Sequence, residues 1–322
     1  MSFILLFRHD NGIDMLPLFL FLYSARNIEF KKIAKYTIIL DLLLFFFVFI
    51  SAKTGLIYDY VENGIRTRDY IGFRYSLLPQ IIVFNITLLT IYLSNESPKR
   101  ILIYLLLILL NYFTFKYTNS RLSFYQSIVL IIILLVFQKN NKLFYPKVLR
   151  FISIFSFIIC GAISFYVTYN FNYLDKNQLK LNEILGGRLY YGNLSLKNYK
   201  ISLWGNDVEY VGNGLLDTGK KNNSKYNYVD NFYLNMLEKY GGVYFVVFIL
   251  LFTFSIIYAY KKDDKLLILI LTFIATHGLI DDLILYLYYN TFYFAISYSV
   301  NDLNKYLDDR KRLKLEKKVT SI

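Results

Sequence analysis

Long apolar blocks constrain this chain more than any other feature. Residues 36–52, 122–137 and 242–260 each run for sixteen or more positions with at most one charge. A bilayer core about 30 Å thick is crossed by a helix of about 20 apolar residues, with a lower limit near 17. Backbone polar groups in hydrocarbon must be satisfied within their own segment, so such runs are helices. The pattern predicts about nine membrane helices, at 13–24, 36–52, 76–93, 100–115, 122–137, 149–170, 242–260, 265–280 and 283–300. The expected fold is all-α: a polytopic transmembrane helix bundle with one large extracytoplasmic loop. Its parts are an N-terminal bundle (1–170), the loop (171–241), C-terminal membrane helices (242–302) and a charged cytoplasmic tail (303–322).

Composition agrees. The chain is 56% hydrophobic with a mean hydropathy of +0.39. A soluble domain is nearer half apolar. The 32 Tyr and 29 Phe suit membrane interfaces, although AT-rich coding would raise the same residues. A formal charge of +13 raises the question of nucleic acid. The lysines answer it, because they lie in short loops between apolar blocks and not on one soluble face. Cys160 is the single cysteine, so no intrachain disulfide is expected. Charge at Arg8–Asp10 interrupts the first apolar run too early for a cleavable signal peptide.

Lys and Arg on alternate loops set the orientation. Segments 25–35, 94–100, 138–150, 261–265 and the tail together hold twenty. The opposite short segments hold seven. The rich set is expected in the cytoplasm of a plasma-membrane protein, with the N-terminus outside and the C-terminus inside.

The two sets also differ in kind. In the short external segments Arg8, Arg66, Arg68, Arg74 and Arg121 stand against Lys53 and Lys116; in the cytoplasmic set Lys dominates. Orientation needs only charge, whereas a planar guanidinium grips phosphate or carboxylate in a bidentate way. External arginines beside membrane helices therefore point to an anionic lipid head group. The plainer alternative is pairing with Asp59, Glu62 or Asp69, with the stems snorkelling. In the long loop, Tyr190, Tyr191, Trp204, Tyr226 and Tyr233 could stack on sugar rings or simply cover the mouth of the bundle. His277 with Asp281-Asp282 is a second ionisable group near the external end of a helix. Two histidines in the whole chain give no metal-ligand spacing, and no nucleotide fingerprint is present.

Several short motifs resemble the bacterial repeat-unit polymerases of O-antigen and capsule synthesis (Wzy-type), which are related to the O-antigen ligases. Arg68-Asp-Tyr-Ile-Gly72-Phe73 is similar to an external Arg placed shortly before Gly-Phe. Thr118-Asn-Ser-Arg121 is similar to a Thr-Gly-Ser-Arg turn, with Asn119 at the glycine. Gly187-Arg188 resembles the Gly-Arg of the large external loop. Asp230-Asn231 followed by Tyr240-Gly241 resembles that loop's end. Ligases carry His before this Asn; Asp230 favours a polymerase.

The resemblance implies an oligosaccharide repeat on undecaprenyl diphosphate and an inverting transfer needing no cofactor and no metal. Membrane lipids, a flippase and a chain-length regulator are the expected partners, and nucleic acid is not. The leaving diphosphate gathers negative charge, which fixed cations stabilise. Arg121 and Arg188 are the expected catalytic cations. Arg66, Arg68, Arg74, Arg121 and Arg188 are the expected diphosphate ligands. The acceptor hydroxyl needs a base, for which Asp230 stands first; Asp281, Asp282, His277 and Asn231 follow as secondary candidates. A lipid-linked oligosaccharide flippase, an O-antigen-ligase-like transferase and a non-catalytic envelope partner are the other readings.

Overall fold

A computed structural model describes residues 10–64, 66–139, 142–216 and 224–302. The predicted tail, 303–322, and Arg8 lie outside the described residues. The chain is mostly helical, with two short β-hairpins between helices.

The first apolar blocks form α1 (Asp10–Ala25), α2 (Phe30–Lys53), α3 (Leu78–Ser94), α4 (Arg100–Thr118) and α5 (Arg121–Phe137). The turn between α4 and α5 is very short. Asn119 closes α4 in the left-handed region at φ 49°, and Ser120 is extended, so Arg121 becomes the first residue of α5. Asn tolerates that conformation better than other non-glycine residues, which accounts for an asparagine at this turn.

The block predicted at 149–170 is broken. Lys147–Ile154 (α6) and Ser156–Tyr169 (α7) meet at Phe155 with a bend of 57°. The long loop carries structure of its own: α8 (Lys176–Ile184), α9 (Arg188–Asn198) and α10 (Phe232–Lys239). Beyond it come α11 (Gly242–Lys261) and α12 (Lys265–His277). The ninth predicted helix, 283–300, needs correction. After His277 the chain runs through turns and one 3-10 turn, Leu283–Leu285, and becomes helical again only over 293–302. Two buried amides explain this: Asn290 Nδ2 donates to Ile284 O (3.1 Å), and Asn85 Oδ1 accepts from Thr291 N–H (3.2 Å). Backbone groups here are satisfied by side chains instead of a helical ladder.

Three helices, α2, α4 and α11, are long and apolar enough to cross a membrane, and the bent α6–α7 pair would make a fourth. Their outer faces are apolar too: Leu43 is 63% exposed and Phe47 69%. An outward stripe of leucine and phenylalanine is costly in water and neutral in lipid. The inner helices are α3 and α12. The first packs on α2, α4 and α5; the second on α3, α5, α6, α7 and α11. One buried polar chain links α3 and α4: Gln80 donates to Asn111 (3.0 Å), which donates to Thr87 (2.8 Å).

The connections gather into two groups. Arg150 pairs with Asp263, Arg100 with the Gln138 carbonyl, and Lys31 shares a cavity with Asp264. Lys53, the hairpin of β1 (Val61–Glu62) and β2 (Arg68–Asp69), and the starts of α5 and α9 form the other group.

Candidate active site

Four arginines from three separate segments meet at the second end. Arg66 and Arg68 come from the β1–β2 hairpin, Arg121 opens α5, and Arg188 opens α9. Burial, then Arg121, Arg68 and Arg188, lower the proton affinity of Arg66. The charges acting on it are thus all guanidinium groups. Of the carboxylates expected to neutralise the hairpin, Asp59 and Asp69 both take Lys53, at 2.7 and 2.5 Å, whereas Glu62 stands opposite Arg68 across the β1–β2 ladder.

Two of these arginines occupy helix N-termini, where unpaired N–H groups and the helix dipole already favour an anion. A cation there is unfavourable by about 0.3–1 kcal/mol unless a counter-charge is present. Gly187, at φ 87°, caps α9 and aims Arg188 inward. Arg188 donates to the carbonyls of Ile280 (2.5 Å) and Leu185 (2.9 Å) and stands 3.9 Å from Asp230. Burial opposes its charge, but Asp230 and Asp281 more than offset that and raise its proton affinity. Arg74, grouped with the others on sequence, does a different job. Its Nε and Nη2 both donate to Leu215 O, at 3.1 and 2.9 Å, anchoring the long loop.

Carboxylates face the arginines. Asp230 accepts from Tyr226 (2.7 Å). Asp282 accepts from Tyr228 (2.6 Å) and from Asn235 (3.1 Å). Asp281 uses one oxygen to accept from Leu283 N–H (2.8 Å), while the other lies 3.9 Å from His277. Burial, with Asp230 adding to it, pushes Asp281 up to about 7. Asp282 is pushed well above the usual carboxylate range by burial and then by Asp281. His277 stacks on Phe84 with ring centroids 4.9 Å apart, and its Nδ1 lies 2.7 Å from Gln126 Oε1.

Tyr75, Tyr226, Tyr228, Asp230, Asp281 and Asp282, together with Gly212–Gly214, line one cavity of about 180 Å³. Three predicted residues take other places. Asn231 is a cap: it accepts from Tyr233 and Leu234 N–H, both at 3.1 Å, and donates to Leu279 O (2.8 Å). Tyr233 is buried and bonded to Ala275 O. Trp204 packs against the hydrophobic core. Sequence reading passed over Gln126, Tyr75, Tyr228 and Asn235. Tyr228, two residues before Asp230, carried an alternating signal that could have found it; a neutral amide on a helix carries none.

Among the described residues, no group of three or more His, Cys, Asp and Glu is arranged to hold a metal ion. No protein-family model, curated protein or solved structure matches the chain.

Proposed function

We propose that this protein is a plasma-membrane polysaccharide polymerase that joins oligosaccharide repeats carried on undecaprenyl diphosphate. One observation carries the reading: Arg66, Arg68, Arg121 and Arg188 converge beside Asp230, Asp281 and Asp282. The arginine end faces outward and the Lys-rich end faces the cytoplasm, so the reaction takes place at the outer surface.

The guanidinium groups grip the diphosphate of the donor, aided by the N-termini of α5 and α9. As the anomeric C–O bond breaks, its electron pair passes to the diphosphate oxygen, where the fixed cations stabilise the charge. The acceptor hydroxyl attacks the opposite face of the anomeric carbon, which inverts it. Its proton goes to a carboxylate. A base works best near the operating pH, which moves Asp281, held at about 7, ahead of Asp230 for this role. Asp230 instead orients Arg188.

The test is direct. Purified protein given lipid-linked repeats, without nucleotide sugar, should yield a ladder of longer glycans. A flippase would move intact lipid across vesicles and form no glycosidic bond; that result would displace the polymerase reading.

A further inference from the structure

A hydrogen-bonded chain between α5 and α12 fixes where His277 carries its proton. Thr276 Oγ1 donates to Phe273 O (2.9 Å), so lone pairs are what this hydroxyl offers its other neighbours. Gln126 Nε2 donates to that oxygen (3.5 Å). The amide is thereby oriented, and its Oε1 lies 2.7 Å from His277 Nδ1. A carbonyl oxygen only accepts. Nδ1 therefore holds the hydrogen, and Nε2 presents a bare lone pair. Nε2 has no hydrogen-bond partner among the described residues, although the ring is fully buried and stacked on Phe84. An acceptor left unmade in such a place is costly.

Asp281 faces it. Oδ1 of Asp281 accepts from Leu283 N–H, while Oδ2 stands 3.9 Å from His277 Nε2. With Asp281 ionised, two acceptors oppose each other. With a proton on Oδ2 the carboxyl becomes a donor, and a small rotation closes the distance toward the ~2.8 Å of a hydrogen bond. Asp281 also lines the cavity, so one carboxyl lies between an acceptor hydroxyl and this imidazole. Burial and Asp230 favour its protonated form, while Leu283 N–H and Arg188 favour the ionised one. Asp282, Tyr75 and Tyr289 also interact with it.

We infer that His277 is a positioning residue: its Nε2 accepts a hydrogen bond from Asp281 once that carboxyl has taken up the acceptor's proton, and the ring itself stays uncharged. The inference rests on the glycosyl-transfer reading, which it deepens. In the transfer, the acceptor oxygen bonds to the donor's anomeric carbon. The bond from that carbon to phosphate breaks with its electrons leaving on the diphosphate. The hydroxyl proton passes to Asp281 Oδ2, whose O–H turns onto Nε2. No charge arises on the buried ring, where it would be costly. The bond to Nε2 exists only as the proton moves, so it favours the transfer and not the bound substrate.

NMR of isotope-labelled imidazole nitrogens in the full-length protein in nanodiscs, without any lipid donor, separates this from the question of polymerisation. The chain has two histidines, and His9→Asn leaves the signal of His277 alone. In alkaline buffer His277 should be the Nδ1–H tautomer. As the pH falls through about 7, its Nε2 signal should move upfield while the ring stays neutral. Asp281→Ala should abolish that movement. An Nε2–H tautomer, an Nε2 signal indifferent to Asp281, or a ring that takes the proton itself overturns the inference. His277→Phe keeps a ring on Phe84 and removes the acceptor. It should move the acid limb of the elongation rate to lower pH by roughly half a unit to one unit, the worth of one hydrogen bond. A folded His277→Phe protein that is slower with its limb unmoved has lost packing only, which also overturns the inference. A protein that passes the NMR test but makes no ladder would retain the His277–Asp281 pair and lose the polymerase.

Discussion

Arg188 and Asp230 face each other across 3.9 Å between α9 and the approach to α10, where the arginine cluster meets the carboxylate-lined cavity. Asp230 also accepts from Tyr226. Neither charge is left alone at this partly buried spot, and removing one partner strands the other. Asp230→Ala is expected to lower thermal stability by about 1–3 kcal/mol as well as activity. The double variant Asp230→Ala/Arg188→Ala should be less destabilised than the two single effects added. A thermal-shift double-mutant cycle checks this, and strict additivity would mean that the pair is not coupled.

Arg68→Lys and Arg121→Lys keep the charge and lose the planar fork. Each should slow elongation at least about tenfold while leaving membrane insertion unchanged. Gel analysis of polymer length and yield measures it. Polymer of normal length and yield from both variants would remove the bidentate clamp.

The pH dependence has a definite sign. Asp281 must be ionised to accept a proton, and burial holds it at about 7. Transfer should therefore fall about tenfold for each pH step below that value and level off above it. Asp281→Asn should be slow at every pH, with the limb near 7 gone. An unaltered limb in that variant would assign the titration to another group.

Glu238 gives a stability prediction away from the chemistry. Its carboxyl is fully buried and accepts from Ser195 (2.5 Å) and Tyr210 (2.6 Å). Burial pushes it up from an ordinary 4.5 to about 7, the two hydrogen bonds opposing. A raised carboxylate contributes stability that is present below its unfolded value and lost as pH climbs through the folded one. Unfolding should become easier between about pH 4.5 and 7, by on the order of 3 kcal/mol. Glu238→Gln should flatten that slope in thermal melts read across the range.

Orientation can be checked with fusions. A reporter at residue 200 should be external, and one placed after 315 cytoplasmic. The opposite result would turn the arginine end toward the cytosol and remove the outer-surface polymerase.

Much of the helix pattern is legible in the sequence, because apolar runs near 17–20 residues have few other solutions. The segment 283–300 misleads for a physical reason. Its tyrosines and leucines score as membrane helix, but Asn290 and the amide of Thr291 find partners in Ile284 and Asn85 that no local pattern reveals. Among the site residues, guanidinium groups were visible by type, because Lys would have served for charge alone. That Arg74 holds Leu215 while Arg66 faces Arg121 depends on contacts between distant segments. Gln126 and Asn235 stayed hidden for the same reason.

The shortness of α12 has a consequence for how the proposed lipid-linked substrate would reach the site. Thirteen residues rise only about 20 Å, against a hydrocarbon slab of about 30 Å. In the proposed orientation, with α12 starting at the cytoplasmic boundary, its other end would stop well beneath the outer head groups, and the irregular stretch after His277 would form the floor of a crater. A polyprenyl chain could remain dissolved among its neighbours while only the phosphates slip sideways over the rim, so nothing would have to be hauled out of the bilayer.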